Sequence, residues 1–254
     1  MRDDLSAMTK AKELRLISYG STSIGRVRPI NEDAFLRDDH LRLYAVADGV
    51  GGQPAGEVAS ATALRELAKF LKFYGSSAGD RSVATMLMAL RKVSDAVLAR
   101  GLSDMRYHGM ATTLTACWIA PHRIILGHVG DSEGFLLHSG KLKQITIQHT
   151  VAGELLTRGV SAQHPVMKSS LSHMLTQSLG PEPLHNPQVC EIEMKHHDVL
   201  MLCSDGVTRE ATHPEISHVL RHSPAPEQAV EELLRLADER GGHDNATAIV
   251  VKAL

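Results

Sequence analysis

The sequence predicts a layered α+β fold in which antiparallel sheet packs against pairs of helices. Three observations predict it. Strand-like and helix-like segments come in groups and do not alternate one for one, which argues against a doubly wound parallel sheet. Two long amphipathic patterns follow each other between residues 55 and 100. Four short strand patterns then crowd into residues 112–145, the last two separated by Ser139-Gly140, a tight hairpin signal.

In chain order, residues 1–13 read as a polar leader, after which Leu14, Leu16, Ile17 and Tyr19 open the first strand. A strand over 41–47 delivers Asp48 at its end. The first helix spans 55–73, with Val58, Ala61, Leu64, Leu67, Ala68 and Leu71 on one face. The second spans 82–100, with Val83, Met86, Leu87, Leu90, Val93 and Val97. Both stripes read as core faces. Strands over 112–119, 123–129, 134–138 and 141–145 follow. The pattern loosens from 149 to 173, with a short helical piece at 152–158. A strand-like stretch at 174–179, a buried strand at 198–203, helices at 213–220 and 226–239 and a last strand at 246–252 complete the chain. Residues 14–254 read as a single domain, and 43% apolar content is ample for its core.

Composition excludes several function classes. Lys plus Arg number 27 against 29 Asp plus Glu, so no positive excess favours nucleic acid or anionic lipid. Cys117, Cys190 and Cys203 are odd in number and set in apolar stretches, as buried thiols in a reducing compartment would be. The first residues lack a signal-peptide core, and no apolar run approaches the roughly 18 residues of a membrane helix. A cytoplasmic monomer is expected, with no nucleic acid or membrane partner.

Four acidic-glycine clusters carry the chemistry: Asn31-Glu32-Asp33, Asp48-Gly49-Val50-Gly51-Gly52, Ser204-Asp205-Gly206 and Gly241-Gly242-His243-Asp244-Asn245. Each sets a short hard-oxygen ligand beside residues that let the backbone turn tightly. A Mg²⁺ or Mn²⁺ site built from loops at strand ends requires that combination. Singly, candidate residues have ordinary explanations: Asp48-Gly49 as a β-turn and Asp33 as a helix cap or arginine partner, and, outside the clusters, Asp131 of Gly130-Asp131-Ser132 as a turn residue and Arg28 as a surface ion pair. Four clusters in a fixed order are harder to dismiss.

With these carboxylates in place, the sequence resembles the metal-dependent protein phosphatase family (PPM, or protein phosphatase 2C) in its bacterial form. The family motif G-x-x-R-x-x-N-E-D matches residues 25–33 with Arg28 in the arginine position, and A-D-G-x-G-G matches residues 47–52. G-D-S matches Gly130-Asp131-Ser132, C-S-D-G matches residues 203–206, G-G-x-D-N matches residues 241–245, and Ala111-Thr112-Thr113-Leu114 matches G-T-T-L less well.

The resemblance implies a four-layer α-β-β-α sandwich, two mainly antiparallel sheets flanked by helix pairs, with a metal centre in a cleft at one end. It implies that Asp48 bridges two Mn²⁺ or Mg²⁺ ions, that Gly49 offers its carbonyl to one, and that Asp205 and Asp244 hold the other. Glu32 and Asp33 act just outside the ligands, Asp131 with Asp205 forms a weaker third site, and Arg28 grips the substrate phosphate. The implied activity is hydrolysis of phosphoserine and phosphothreonine on proteins by a metal-bridging water, opposing a bacterial Ser/Thr kinase. That chemistry needs charge neutralisation and a strong oxygen nucleophile, which paired cations supply.

Two other functions share these residues: a phosphatase-like adaptor module without turnover, and a phosphatase acting on a partner-switching regulator. The chain departs from the family pattern at Glu133, Gln148-His149, Gln177-Ser178 and Ala111, and has Val50 where some members place a histidine. Residues 150–172 correspond to the variable flap beside the cleft.

Overall fold

The computed structural model describes residues 14–75 and 81–254; the leader expected over 1–13 lies outside them. Ten strands among these residues form two five-stranded sheets. One sheet holds, side by side, β1 (Leu16–Ser23), β10 (Ala246–Ala253), β9 (Val199–Cys203), β6 (Glu133–His138) and β7 (Lys141–Gln144). The other holds β2 (Asp33–Asp38), β3 (Leu43–Asp48), β4 (Leu114–Ala120), β5 (Arg123–Val129) and β8 (Gln188–Glu193). All neighbouring pairs are antiparallel.

Period-two alternation sorts the side chains into three apolar layers. In β3, Leu43, Ala45 and Ala47 face α1 (Gly56–Tyr74) and α2 (Val83–Leu102), while Tyr44 and Val46 enter the layer between the sheets. In β9, Val199, Met201 and Cys203 face α5 (His213–His222) and α6 (Pro226–Glu239), while Leu200 and Leu202 join the inter-sheet layer. These strands read as continuous apolar runs because both faces are buried. The stack of helix pair, sheet, sheet and helix pair is the expected four-layer sandwich. α3 (Val151–Thr157) and α4 (Asp205–Thr208) are short and lie outside the pairs. No helix among the described residues is long and apolar enough to cross a membrane.

Ser139 and Gly140 both take positive φ, 48° and 73°, as the two-residue hairpin between β6 and β7 demands. The structure departs from the sequence reading in three places. The stretch 174–179 is no strand. Leu175 and Leu179 each make an isolated bridge, to Thr150 and Thr112, while Gln177 exchanges hydrogen bonds with the backbone of Asn186. β2 and β8 were not foreseen, because both are edge strands whose exposed charged residues break up the apolar signal. On α1, Ala61 is exposed, and Ala59 and Ala63 take the inward places.

Leu200→Ala, at the centre of the inter-sheet layer, should lower unfolding stability by about 2–5 kcal/mol in urea titration without changing the slope.

Candidate active site

The site lies where strand ends of both sheets meet. Asp48 ends β3, and the antiparallel register sets Asp33, at the start of β2, directly opposite it. Two carboxylates on facing positions repel. Asp33 is 8% exposed and is held from the other sheet, where Ser204 Oγ and Thr247 Oγ1 donate to its Oδ2 at 2.6 and 2.7 Å. Its Oδ1 is buried with no hydrogen-bond partner. Burial pushes its carboxyl up to about 6, against the two hydroxyl bonds and with help from Asp205 and Asp244.

Hydroxyls also fix the backbone of Asp48. Its N–H donates to Thr113 Oγ1 at 3.0 Å, and Thr112 Oγ1 donates to its carbonyl at 2.9 Å. Thr113 and Ser132 share a 2.7 Å hydrogen bond that ties this strand end to Asp131. The next residue, Gly49, cannot be substituted cheaply, since a Cβ there would sit 2.5 Å from the backbone of Gly56 at the start of α1. Glu32 takes a backbone hydrogen bond from Gly56, an acid at a helix N-terminus.

Asn245 organises the loop that carries Arg28 and Glu32. Its Nδ2 donates to the carbonyls of Ile24 and Ile30 at 2.9 and 3.0 Å, and its Oδ1 accepts from Glu32 N–H at 2.9 Å. Gly25, at φ +74°, lies so close to the Asp244 carbonyl that a Cβ would come within 2.5 Å.

Arg28, Glu32, Asp48, Gly49, Asp131, Asp205 and Asp244 all line one cleft of about 520 Å³, with Asp33 beneath them. Asp48 keeps part of its surface open to this cleft. Removal from bulk water raises its carboxyl well above the usual range, and Asp33, Asp205, Asp131 and Asp244 add to the rise. Asp131 is pushed up to about 7, first by burial and then by Asp205, while Arg209 opposes. Asp205 is raised for the same first reason.

The donor set fits hard divalent cations, being all oxygen, crowded with negative charge, and including a buried carboxylate oxygen without a partner. No three acidic, His or Cys side chains among the described residues are already arranged around one metal position. Two guanidinium groups stand among the acids instead. Arg28 Nη2 lies 2.8 Å and Arg209 Nη1 2.9 Å from the same Asp244 Oδ2, and Arg209 Nη2 also pairs with Asp205 Oδ2.

Comparison with known proteins decides the family. The protein phosphatase 2C family model matches residues 22–250. The chain belongs to the protein phosphatase 2C family. It is similar to the serine/threonine phosphatase Stp of Listeria welshimeri, at 31% identity over 91% of this chain and 93% of the relative. The crystal structure of the Mycobacterium tuberculosis phosphatase PstP/Ppp superposes with a TM-score of 0.83 at 31% identity, covering 93% of this chain and 98% of that one. The catalytic domain of PstP in complex with two manganese ions gives 0.83 at 32% identity, covering 95% and 99%. Solved members of this phosphatase family thus share the four-layer sandwich found here.

Within this frame, the histidines of the sequence turn to other work. His149 accepts from Gly130 N–H at 3.1 Å and stacks on buried His128, so it builds the turn before Asp131. His243 faces outward to Glu210. Glu133, which replaces the family arginine, is buried and bonded by Thr208 and Gln148, beneath α4. Sequence reading missed Arg209, Ser204, Thr247 and the clamp role of Asn245. Only Arg209 left a signal, its i+4 spacing from Asp205.

Asn245→Ala leaves two carbonyls and one N–H without their partner, so it should cost about 2–4 kcal/mol in chemical denaturation. Asp48→Asn removes one crowded charge, so the melting temperature in EDTA should rise by about 2–4 °C or more, while Mn²⁺ should stabilise the variant less than the wild type.

Proposed function

We propose that the chain is a Mn²⁺- or Mg²⁺-dependent phosphatase that hydrolyses phosphoserine and phosphothreonine on proteins, in the cytoplasm and opposing a Ser/Thr kinase. The observation that carries this reading is the convergence of Asp48, Asp131, Asp205, Asp244 and Glu32 on one cleft with Arg28 at its wall. The two manganese ions bound by the related PstP catalytic domain support it.

In this reading Asp48 holds both core cations, Gly49 contributes its carbonyl, and Asp205 and Asp244 complete the second position. Asp131 with Asp205 offers a weaker third position, where few protein oxygens are available. Cations bound there would supply charge neutralisation and activate a water for in-line attack on phosphorus. Arg28, with 36% of its side chain exposed, presents a planar fork to two phosphoryl oxygens and orients the ester for displacement of the serine or threonine oxygen. Asp33 and Glu32 hold the walls in register. The flap over 150–172 runs into His173 and Met174, which line the same cleft and are placed to meet the peptide around the phosphorylated residue.

Hydrolysis of p-nitrophenyl phosphate with and without Mn²⁺ tests the reading. Turnover should require the cation, and Asp48→Ala should abolish it in a folded protein. Metal-independent turnover, or full activity in Asp48→Ala, would refute the assignment. Arg28→Ala should lower kcat/KM on a phosphothreonine peptide by roughly 10²-fold, with Lys restoring only part because it lacks the fork.

A further inference from the structure

We infer that Arg209 is an exchangeable counter-cation of the site: it competes with a divalent metal for Asp205 and Asp244, and once displaced it becomes a second phosphate-binding arm beside Arg28. The inference rests on the metal-phosphatase reading above and adds a residue to it.

Arg209 follows α4 and sits one helical turn after Asp205, so both side chains leave the same face of one short element. Its guanidinium spans two carboxylates, with Nη2 on Asp205 Oδ2 and Nη1 2.9 Å from Asp244 Oδ2. These are the two residues assigned to one cation position. Asp244 is already fully engaged, since Oδ1 accepts from Asn245 N–H at 2.9 Å and Oδ2 takes Arg28 as well as Arg209. A cation entering between Asp205 and Asp244 therefore meets a positive group on the oxygens it needs. Like charges this close repel, so the cation and the guanidinium cannot both hold those oxygens.

Arg209 is also the most exposed member of this cluster of three. Its side chain is 49% exposed, while those of Asp205 and Asp244 are 14% and 19% exposed, so the arginine swings more easily than the carboxylates it bridges. It lines the cleft together with Arg28. Released from the acids, it remains within the same 520 Å³ space, where a dianionic phosphoryl group matches its fork. The opposite role, a fixed strut that holds Asp205 and Asp244 ready for metal, predicts the reverse sign on metal affinity.

The test uses the full chain as wild type, Arg209→Gln and Arg209→Lys. Calorimetric titration with MnCl₂ alone should show Arg209→Gln binding Mn²⁺ about tenfold more tightly than wild type, with Arg209→Lys between them because it keeps the charge. At saturating Mn²⁺, Arg209→Gln should raise KM for a phosphothreonine peptide and weaken inhibition by inorganic phosphate, with kcat less affected. Mn²⁺ affinity in Arg209→Gln equal to or weaker than wild type would overturn the exchange and leave a strut. Unchanged phosphate inhibition would overturn the second role. Absence of Mn²⁺ binding by the wild type would instead refute the metal-phosphatase reading, and this inference with it.

Discussion

The structure depends on one electrostatic constraint: negative charge forced together where the two sheets end. Antiparallel pairing of β2 with β3 puts Asp33 across from Asp48, and the loops after β5, β9 and α6 add Asp131, Asp205 and Asp244. Burial first, and the neighbouring acids after it, raise the carboxyls of Asp33, Asp48, Asp131 and Asp205, so both the loss of water and the crowding of like charge oppose folding here. The sandwich tolerates this because three apolar layers fix the strands that bear the acids. Its core stabilises what its rim opposes.

Holding repelling groups in place needs more than apolar burial, and the chain uses neutral donors for the purpose. Asn31 donates to Thr22, Thr22 shares a hydrogen bond with Thr247, and Thr247 donates to Asp33. This line of hydroxyls crosses from the loop before β2 through β1 and β10 to the buried carboxylate. On the other side, Thr112 and Thr113, the latter tied to Ser132, hold the backbone of Asp48 and leave its carboxylate to the cleft. A hydroxyl satisfies an anionic oxygen without neutralising it, so the negative field that a cation would sense stays intact. Arginine does neutralise, and Arg28 and Arg209 reach these acids from the solvent side.

Much of this was legible in the sequence because the fold writes buried strands as apolar runs and loop ligands as acid-glycine pairs. β3, β5 and β9 were readable for the first reason, and the second pointed to Asp48, Asp205 and Asp244, which the fold brings to one cleft. The edge strands β2 and β8 were not, since a strand paired on one side and wet on the other carries a mixed pattern; β2 has Arg37 exposed between partly buried neighbours. At 174–179, Met174-Leu175 and Leu179 flank three polar residues, and the stretch makes only isolated bridges at Leu175 and Leu179 instead of a continuous ladder. The roles of Ser204, Thr247 and Asn245 were invisible for a different reason: small polar residues are common, and only three-dimensional proximity shows which carboxylate or carbonyl each one serves.

The same logic explains why two arginines on the acidic rim are not equivalent. Arg28 comes from a loop that Asn245 and Gly25 press against the Asp244 segment, so its anchor is built from backbone contacts distant in sequence. Arg209 caps the end of the four-residue helix that Asp205 begins, so its reach is set by a single turn of backbone and its side chain is the more exposed of the two. A fork anchored by a braced loop suits a fixed phosphate clamp. A fork mounted beside a ligand, on an element too short to restrain it, suits exchange. On the proposed function, orientation of the substrate and regulation of charge in the cleft thus fall to two different local backbones.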